Sequence, residues 1–389
     1  MACLIFVMGK LAPGGAERQT LSLMNRLSER GHVCHAVSVK IPGSLSVRLR
    51  GGGTLKCLYA ARYLDLRAVR DFAAHVRAVR PSAVVAANAY ALMYAWLGLR
   101  LSRRRVPLVV TYHSNRLLNA KEWLQMLLYR LFFRTADCSV FVCHRQRRYW
   151  EGRGVFSRRN EVIYNGVDTE EFHDKWTPQD RVALRGMLGF SDAEFVVGLS
   201  GMLRPEKNHI QLVDAIAALQ LRGIPARALI IGDGETREAI QAAARDLGVA
   251  KEIIITGLKQ DVRPYIAACD VMVLCSFTEA FSLSAVEAMA LGKPVVHSDV
   301  GGAAEMIAPG RTGFLFPVGD TGAFVDKLAI LADRAVSTRM GREARTTVET
   351  LFSEKKMVDR YEKALRELCA AVQPEHADRL KGKHSEGGM

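Results

Sequence analysis

Residues 196–221 read VVGLSGMLRPEKNHIQLVDAIAALQL, a segment that changes character twice along its length. It begins with a short apolar run, 196–200, and ends with a helical pattern over 210–221. The residues between these two parts include glycine, proline and several charges, which are typical of a loop. A strand that leads through a loop into a helix is the repeating unit of α/β proteins with parallel sheets. This stretch therefore predicts a parallel sheet that is covered by helices.

The same alternation continues along most of the chain. Strand-like runs in the first half are residues 4–8, 34–40, 83–87, 108–112, 139–142 and 162–164, and those in the second half are 196–200, 228–231, 252–256, 271–274 and 294–296. Helical patterns such as 16–30, 66–79 and 122–133 lie between them. We therefore predict an α/β protein with two doubly wound parallel sheets of Rossmann type, which face each other across a ligand-binding cleft.

Composition narrows the class of protein. Of the 389 residues, 49% are hydrophobic and 24% are charged, which excludes disordered and fibrous proteins. Eight scattered cysteines without a CxxC pair argue against a disulfide framework or a structural zinc site, and they indicate a reducing compartment. The first residues lack the pattern of a secretory signal, and the longest uncharged stretch, 81–99, is too polar to span a bilayer. We expect a cytoplasmic protein that is at most peripheral to a membrane.

Positive charge is concentrated in the first half of the chain. Residues 1–165 hold 27 Lys and Arg against 8 Asp and Glu, whereas residues 166–389 hold 27 against 32. Such asymmetry indicates that the first half faces a polyanion, either nucleic acid or an anionic membrane surface, unless it is merely a solvated basic surface. The segment 121–134, KEWLQMLLYRLFFR, mixes aromatic and aliphatic residues with charges. It is either a membrane-surface helix or, as its apolar content favours, a helix packed on the core.

The loop after the strand at 196–200 carries two cations three residues apart, Arg204 and Lys207. A guanidinium and an ammonium beside a helix N-terminus suit a diphosphate group. Two solvated surface charges are the alternative, but a position at the carboxyl end of a strand favours the binding function.

The strongest chemical signal is FTEAFSLSAVEAMA, residues 277–290, in which Glu279 and Glu287 are eight positions apart. Ser282 or Ser284 can cap a helix here. Glu279 then precedes the helix, and Glu287 lies inside it among apolar neighbours, where a buried carboxylate needs partners. Carboxylates accept paired hydrogen bonds from vicinal diols, so one glutamate can hold a ribose and the other a second sugar.

Other candidate residues carry weaker signals. Gly14-Gly15 either lets backbone amides approach an anion or forms a tight turn between strand and helix. Gly232-Asp233-Gly234 follows a strand and favours a simple turn, and Gly257-Leu258 after the next strand can present backbone groups to a base. His113 ends a strand, where it either donates a hydrogen bond to a ligand or has a structural role. The chain contains no D-x-D triplet, phosphate-binding GxxxxGK[ST] loop, GxSxG elbow or HExxH motif, so cations and helix termini would neutralise a leaving diphosphate without a metal.

Taken in order, these motifs resemble those of family 4 of the retaining glycosyltransferases, which have the GT-B fold. The resemblance rests on GGAE at 14–17, YNGVD at 164–168, the G-x-L-R-P-E-K loop at 201–207, Gly232-Asp233-Gly234, the Glu279 and Glu287 pair, GKPVV at 292–296, GGAAE at 301–305 and GFLF at 313–316. It covers nearly the whole chain. Asn208, Met202 and Cys143 depart from the commonest pattern, which leaves the assigned charges in place but the donor open.

The resemblance implies a role for each candidate. Arg204 and Lys207 would hold the diphosphate of a nucleotide-sugar donor, Glu279 the sugar hydroxyls and Glu287 the ribose. Backbone amides at Gly15 and around Phe281, Ser282 and Leu283 would complete the phosphate cradle, and Gly257 and Leu258 remain candidates for binding the base by their position after a strand. His113 would lie beside the transferred sugar. Glu279, His113, Arg204 and Lys207 are thus the predicted catalytic residues.

The resemblance also implies how the chain is divided. Residues 1–166 would form an acceptor-binding domain, residues 167–354 a nucleotide-sugar-binding domain, and the helix 355–372 would cross back to the first domain. We predict that residues 373–389 are disordered because they are polar and rich in charge and glycine.

We expect a metal-independent retaining glycosyltransferase of cell-envelope polysaccharide or lipopolysaccharide biosynthesis. Its donor would be a nucleotide sugar, with UDP favoured over GDP, and its acceptor a saccharide or a lipid-linked saccharide. A nucleotide-sugar epimerase of the same fold is the first alternative. A basic nucleic-acid-binding protein is the second, although no nucleic-acid-binding signature is present, and a NAD-linked oxidoreductase lacks its GxGxxG motif.

Overall fold

The computed structural model describes residues 1–10, 14–43, 49–114 and 120–372. The chain divides into two compact units. Unit 1 holds Met1–Asn165 and the chain from Lys355 onward, and unit 2 holds Gly166–Glu354. The tail that we predicted to be disordered, 373–389, lies outside the described residues.

Unit 1 is built on a parallel sheet that has seven strands in the described part of the chain. They are β1 (Cys3–Met8), β2 (Val33–Ser38), β3 (Leu55–Cys57), β4 (Ala83–Ala87), β5 (Leu108–Tyr112), β6 (Cys138–Phe141) and β7 (Arg159–Val162), in the spatial order β3-β2-β1-β4-β5-β6-β7. The helices between them are α1 (Gly15–Glu29), α2 (Leu66–Val79), α3 (Asn88–Ser102), α4 (Ala120–Thr135) and α5 (His144–Glu151). Strands β4 and β5 are buried throughout, as expected when helices cover both faces of a sheet.

Unit 2 has a second parallel sheet, of six strands. They are β8 (Phe195–Ser200), β9 (Ala226–Ile231), β10 (Ile253–Ile255), β11 (Val271–Leu274), β12 (Val295–Ser298) and β13 (Gly313–Phe316), in the order β10-β9-β8-β11-β12-β13. The helices are α6 (Pro178–Met187), α7 (His209–Leu221), α8 (Arg237–Asp246), α9 (Arg263–Ala268), α10 (Leu283–Ala290), α11 (Ala303–Met306), α12 (Thr321–Leu331) and α13 (Arg334–Thr347), followed by a π-helical turn at Val348–Phe352. These two parallel sheets confirm the predicted α/β class.

The last helix, α14 (Glu354–Val372), packs in unit 1. Its residues Val358, Tyr361 and Leu365 join an apolar cluster with Leu4 and Phe6 of the first strand. A helix with one apolar stripe is stable only where that stripe is covered, and here the sheet of unit 1 covers it.

Some elements differ from their sequence prediction. The pattern gave no sign of β3, because Leu55, Lys56 and Cys57 form a three-residue edge strand that is only half-buried. It placed β7 at 162–164, but the strand is Arg159–Val162, whose polar residues lack the apolar run by which a buried strand is recognised. The predicted strand 294–296 continues to Ser298, so His297 belongs to it.

Each sheet reverses its strand order at one point. In unit 2 the reversal lies between β8 and β11, and in unit 1 it lies between β1 and β4. In open parallel sheets, ligands bind at the carboxyl ends of the strands that flank such a reversal. In unit 2 a ligand is therefore expected at the loops that follow β8 and β11.

Candidate active site

An ion pair joins those two loops of unit 2. Nζ of Lys207, which follows β8, lies 2.5 Å from Oε2 of Glu279, which follows β11. Both side chains are largely shielded, with exposed fractions of 26% and 17%. Backbone contact supports the pair, because the amide of Phe277 donates a hydrogen bond to the carbonyl of Glu206 at 2.9 Å. The structure thus brings together two residues that are 72 positions apart in the sequence.

Arg204 stands at the start of the same loop with its charge available. Its side chain is 55% exposed, and its nearest carboxylate is that of Glu206, at 3.9 Å. A short 3₁₀ turn, Pro205–Lys207, separates it from α7. Asn208, the residue before α7, has the left-handed backbone conformation with φ of 50°. Two cations at the entrance to one helix, one of them exposed, can bind an anion there.

The second loop ends at the N-terminus of α10. The hydroxyl of Ser282 accepts a hydrogen bond from the amide of Ala285 at 3.3 Å and so caps this helix, as the sequence predicts. Leu283 is the first residue of the helix, and Phe281 is buried against the ring of Phe352. The amides of this first turn point outward from the helix end, where they favour negative charge.

Glu287 lies in α10 and is only 6% exposed. Five of its helical neighbours, Ala285, Val286, Ala288, Met289 and Ala290, are buried apolar residues. A carboxylate in this position is held in a defined orientation by the packing of its helix, which suits it to accept hydrogen bonds from a diol.

Gly301 supports the Glu279 loop, a feature that sequence reasoning recorded only as part of a family motif. Its φ is +52°, and a Cβ atom there would lie 1.9 Å from the carbonyl oxygen of Glu279. The next residue, Gly302, donates its amide to the carbonyl of Ala280 at 2.8 Å. Only glycine fits this position, so the close backbone contact with the turn after β12 fixes the position of the loop that carries Glu279.

The glycines after β9 have a packing role. A Cβ at Gly232 would lie 1.9 Å from the carbonyl oxygen of Gly201, and one at Gly234 would lie 2.4 Å from that of Leu203. These glycines let the loop after β9 pack against the loop that leads to Arg204. Gly257, with φ of +74°, lies near Asp233, and Leu258 beside it is 68% exposed.

Two buried histidines adjoin the ion pair, and the sequence prediction did not include them. His297 is the last residue but one of β12, donates from Nδ1 to the carbonyl of Ser298 at 2.7 Å, and has no partner at Nε2 within the described residues. His209 begins α7, and neither of its ring nitrogens has a partner in that part of the chain. Burial lowers the pKa of each to about 4, so both are neutral at pH 7.

Gly15 and His113 belong to unit 1. Gly15 opens α1 at the carboxyl end of β1, and Gly14 is the extended residue before the helix. His113 follows β5, and its amide donates to Oδ1 of Asn88 at 3.1 Å. Burial lowers the pKa of His113 to about 4, so its imidazole is neutral at pH 7.

A cavity of about 960 Å³ lies elsewhere in unit 2. It is lined at the amino ends of β11 and β12 by residues such as Arg185, Asp270 and Lys293. None of the predicted site residues lines it. The basic side chains there are largely engaged: Arg185 pairs with Asp270 at 2.6 Å, and Lys293 donates to two backbone carbonyls.

Within the described ranges, no group of three or more His, Cys, Asp or Glu residues is placed so that it could hold a metal ion. No helix in these ranges is both long and apolar enough to cross a membrane.

Both halves of the chain are similar in sequence to glycosyltransferases. Residues 13–171 match the model of "Glycosyltransferase Family 4", and residues 180–347 match that of "Glycosyl transferases group 1". The chain is 28% identical over 271 residues to N-acetyl-alpha-D-glucosaminyl L-malate synthase of Bacillus anthracis, a match that covers 69% of this chain and 70% of that protein. It is 31% identical over 172 residues to the lipopolysaccharide core biosynthesis glycosyltransferase LpsE of Rhizobium meliloti, covering 44% and 49% of the two chains.

Solved structures show the same fold. The structure of Anabaena HepE in complex with UDP and glucose superposes with a TM-score of 0.82 at 22% identity, covering 94% of this chain and all of that one. The apo form of the lipopolysaccharide outer core galactosyltransferase WaaB superposes with a TM-score of 0.73 at 20% identity, covering 94% and 99%. At these identities the likeness establishes the GT-B fold, as predicted, and nothing finer.

Proposed function

Because the chain belongs to the family 4 glycosyltransferases, with a group 1 region in its second half, we propose that it transfers a sugar from a UDP-sugar to a saccharide or lipid-linked acceptor. The transfer retains the anomeric configuration and uses no metal ion. One observation carries the proposal: the Lys207 and Glu279 pair lies with exposed Arg204 at the strand-order reversal of unit 2.

In this proposal the charged groups of unit 2 divide the donor between them. Arg204 and Lys207 bind the diphosphate, and the first turn of α10 adds backbone amides to it. Glu279 accepts hydrogen bonds from the hydroxyls of the sugar, and Glu287 accepts them from the ribose. A UDP-sugar is the favoured donor because the HepE structure, whose fold this chain shares, holds UDP and glucose.

The chemical step follows from this arrangement. The bond between the anomeric carbon and the diphosphate breaks, and its electron pair stays on the diphosphate, where the two cations stabilise the growing charge. The acceptor oxygen bonds to the same face of the oxocarbenium-like carbon, and its proton passes to the departing diphosphate. No enzyme nucleophile takes part. Trapping a covalent glycosyl group on Glu279 would contradict this mechanism.

The donor assignment can be tested by thermal shift with a panel of UDP-, GDP- and ADP-sugars. A ligand that binds only the folded state at a hundredfold excess over Kd adds about 2.7 kcal/mol of stability. We expect a UDP-sugar to raise the melting temperature of the wild type but not of Glu287→Ala. Glu238→Ala, an exposed carboxylate of α8 in the same unit, is the matched control and should retain the shift. A shift that survives in Glu287→Ala would contradict the ribose assignment, and no shift with any UDP-sugar would contradict the donor class.

The two alternative functions give different results in simple assays. An epimerase would convert the nucleotide sugar with no acceptor present, whereas a transferase releases UDP in step with acceptor glycosylation. A nucleic-acid-binding protein would bind oligonucleotides with a steep dependence on salt concentration.

We further propose that the enzyme works at the inner, anionic face of the cytoplasmic membrane, and the outer face of α4 supports this. Large apolar side chains recur there at helical spacing and are exposed to 43–70%, namely Trp123, Leu124, Leu127, Leu128 and Leu131. The opposite face, with Met126, Tyr129 and Phe133, is buried in the core of unit 1. The helix therefore presents apolar residues on both sides: one face packs on the core, as the sequence favours, and the other is exposed.

Positive charge accompanies the exposed face of α4. The guanidinium of Arg130 lies over the ring of Trp123 at 5.3 Å, and that of Arg134 lies over Phe156 at 5.5 Å. Apolar side chains fringed by arginine are the composition that binds an anionic bilayer surface, where each basic residue adds about 1 kcal/mol.

Sedimentation with lipid vesicles tests this part of the proposal. The wild type should bind vesicles that contain phosphatidylglycerol and leave pure phosphatidylcholine vesicles largely free. The double variant Leu124→Gln and Leu128→Gln should lose binding, whereas Leu221→Gln, which changes a leucine of unit 2 exposed to 90%, should not. Equal binding by all three proteins would contradict a membrane role for α4.

A further inference from the structure

An aromatic cluster lies at the carboxyl edge of the sheet of unit 1. Lys40 follows β2 by two residues, Tyr59 follows β3 by two, and Tyr90 follows β4 by three. Strands β3, β2, β1 and β4 are neighbours in the sheet, so these side chains stand along one edge. The amide of Ala60 also bonds to the carbonyl of Val39 at 2.9 Å, which holds the segment after β3 beside the segment after β2.

Three tyrosine rings at this edge, those of Tyr63, Tyr90 and Tyr94, are held in place by neighbouring residues. The ring of Tyr63 lies 5.2 Å from that of Tyr90, which in turn lies 5.3 Å from that of Tyr94. The hydroxyl of Tyr94 accepts from the amide of Asp65 at 2.9 Å and donates to the carbonyl of Tyr63 at 3.2 Å. The hydroxyls of Tyr63 and Tyr129 are hydrogen-bonded. Fixed rings lose little entropy on binding.

Two tyrosine rings at this edge nevertheless face solvent. Tyr59 is 68% exposed and Tyr63 is 46% exposed. Packing of the core therefore does not account for their position. Exposed aromatic side chains of this kind provide flat apolar contact area together with a polar hydroxyl.

Backbone conformation marks the same edge. Five non-glycine residues in the described ranges have a positive φ, and two of them, Arg80 and Arg103, end helices. The other three, Tyr59, Asn88 and Asn208, each follow a strand at the carboxyl edge of a sheet. Asparagine tolerates this conformation, but for Tyr59 it is unfavourable, and unfavourable backbone conformations concentrate at functional sites. Asn208 adjoins Lys207 of the donor site, and Tyr59 and Asn88 mark the corresponding edge of unit 1.

The cluster also has uncompensated positive charge. Nζ of Lys40 lies 5.8 Å from the centre of the Tyr90 ring. Neither Lys40 nor the exposed Arg62 forms an ion pair with any residue that the structure describes. The nearby Asp65 carboxylate is engaged, because it accepts from the amides of Ala61, Arg67 and Ala68. Lys40, beside the Tyr90 ring, and Arg62, the residue before Tyr63, are therefore two cations available to an anionic group.

From these observations we infer that Tyr59, Tyr63 and Lys40 form an acceptor subsite for a pyranose ring that carries a phosphate. The apolar face of the sugar ring stacks on the tyrosines, and the phosphate binds Lys40 and Arg62. This inference rests on the proposed transferase function, because it assigns the acceptor of that reaction to a class, the sugar phosphates, in which the phosphate can also link the sugar to a lipid. It involves no covalent step.

Saturation-transfer NMR with glucose 1-phosphate, in the presence of saturating UDP, tests the inference on the full chain. We expect signals from the sugar-ring protons in the wild type and a decrease of about three- to tenfold in Tyr59→Ala and Tyr63→Ala. Tyr63→Phe, which keeps the ring, should retain the signals. Lys40→Ala should bind glucose 1-phosphate no better than the uncharged methyl α-glucoside.

The matched control is a second lysine–tyrosine pair, in unit 2. Nζ of Lys259 lies 5.2 Å from the centre of the Tyr265 ring, and Tyr265→Ala should leave the signals unchanged. Signals that persist at full strength in Tyr59→Ala and Tyr63→Ala would overturn the inference. UDP affinity is measured on the same samples. If the wild type does not bind UDP, the proposed function is refuted. If UDP binds and the sugar signals are the same in the wild type, Tyr59→Ala and Tyr63→Ala, only the subsite is refuted.

Discussion

The ammonium of Lys207 and the carboxylate of Glu279 lie 2.5 Å apart, and they join the loops that follow two adjacent strands of unit 2. In the proposed reaction the lysine binds the diphosphate and the glutamate binds the sugar. The ion pair therefore holds the two charges ready, with their side-chain geometry already restricted before the donor arrives.

Replacing Lys207 with alanine should weaken UDP binding more than the loss of one contact would. The change removes a cation and leaves the Glu279 carboxylate unopposed near the diphosphate. We expect about 10²- to 10³-fold lower turnover, the range seen when one charge-stabilising donor is removed. Isothermal titration with UDP and a UDP-release assay measure the two effects. Lys259→Ala, an exposed lysine in the same unit, should change neither.

A double variant separates charge from structure in the same pair. If repulsion by Glu279 contributes, Lys207→Ala combined with Glu279→Gln should bind UDP more tightly than Lys207→Ala alone. Equal or weaker UDP binding by the double variant would show that the carboxylate does not oppose the diphosphate.

Gly301→Ala should displace the Glu279 loop. The new Cβ would meet the carbonyl oxygen of Glu279 at 1.9 Å, and the φ of +52° is itself unfavourable for alanine. Turnover should fall at least tenfold while the protein remains folded. Gly310→Ala is the matched control, because Gly310 also has a positive φ, +77°, but its Cβ would meet nothing within 4 Å. Equal activity losses in the two variants would show that backbone strain, and not displacement of the loop, is responsible.

Much of this architecture follows from sequence pattern, since buried parallel strands are continuous apolar runs and the glycine- and charge-containing loops stand at their carboxyl ends. Arg204, Lys207, Glu279 and Glu287 were found in this way because each belongs to a loop or helix start with recognisable residues. The contact between Lys207 and Glu279 could not be predicted from the sequence, because it depends on the order of the strands in space. Order is set by tertiary packing and leaves no local pattern.

Two polar residues were missed for a different reason. His297 and Arg345 stand among residues of ordinary composition, and a single histidine or arginine carries no signal in a sequence. The importance of His297 comes from its burial, and that of the partly buried Arg345 comes from its distant partners. The core-facing side of α4 was predicted, with Met126, Tyr129 and Phe133 buried, but the extent of its exposed apolar face was not, because the sequence does not distinguish an apolar residue that faces the core from one that faces solvent.

Arg345→Ala should destabilise unit 2. Its guanidinium donates to the carbonyls of Phe172 and Ala290 at 2.5 and 2.6 Å and of Thr169 at 2.9 Å, and it pairs with Glu349 at 2.6 Å. Its loss leaves three carbonyls without this donor, at a cost of about 2–4 kcal/mol in the free energy of unfolding. Urea unfolding followed by circular dichroism measures it.

Arg342→Ala is the matched control for that change. Arg342 lies one turn earlier on α13, is exposed, and its side chain has no partner within the described residues. Its replacement should alter the free energy of unfolding by no more than about 0.5 kcal/mol. Similar losses for both variants would show that the carbonyl contacts of Arg345 contribute nothing specific.

Buried neutral histidines should make the protein sensitive to acid. Burial lowers the pKa of His209 and of His297 from 6.5 to about 4 in the folded chain. Between these pH values the unfolded chain binds more protons than the folded chain, so the free energy of unfolding falls as the pH drops from 6.5 to 4. The stabilising contribution of the neutral histidines is fully present above pH 6.5. Each histidine contributes at most about 3 kcal/mol to this loss.

Replacing His209 with leucine should therefore make the free energy of unfolding less dependent on pH in the acid range. The stability difference between variant and wild type should then shift in favour of the variant as the pH falls. Urea unfolding at pH 7.5, 6 and 5 measures this difference, with His173→Leu, which changes an exposed histidine of unit 2, as the control. If the difference between His209→Leu and the wild type stays constant over this range, the buried imidazole is not the source of the acid sensitivity.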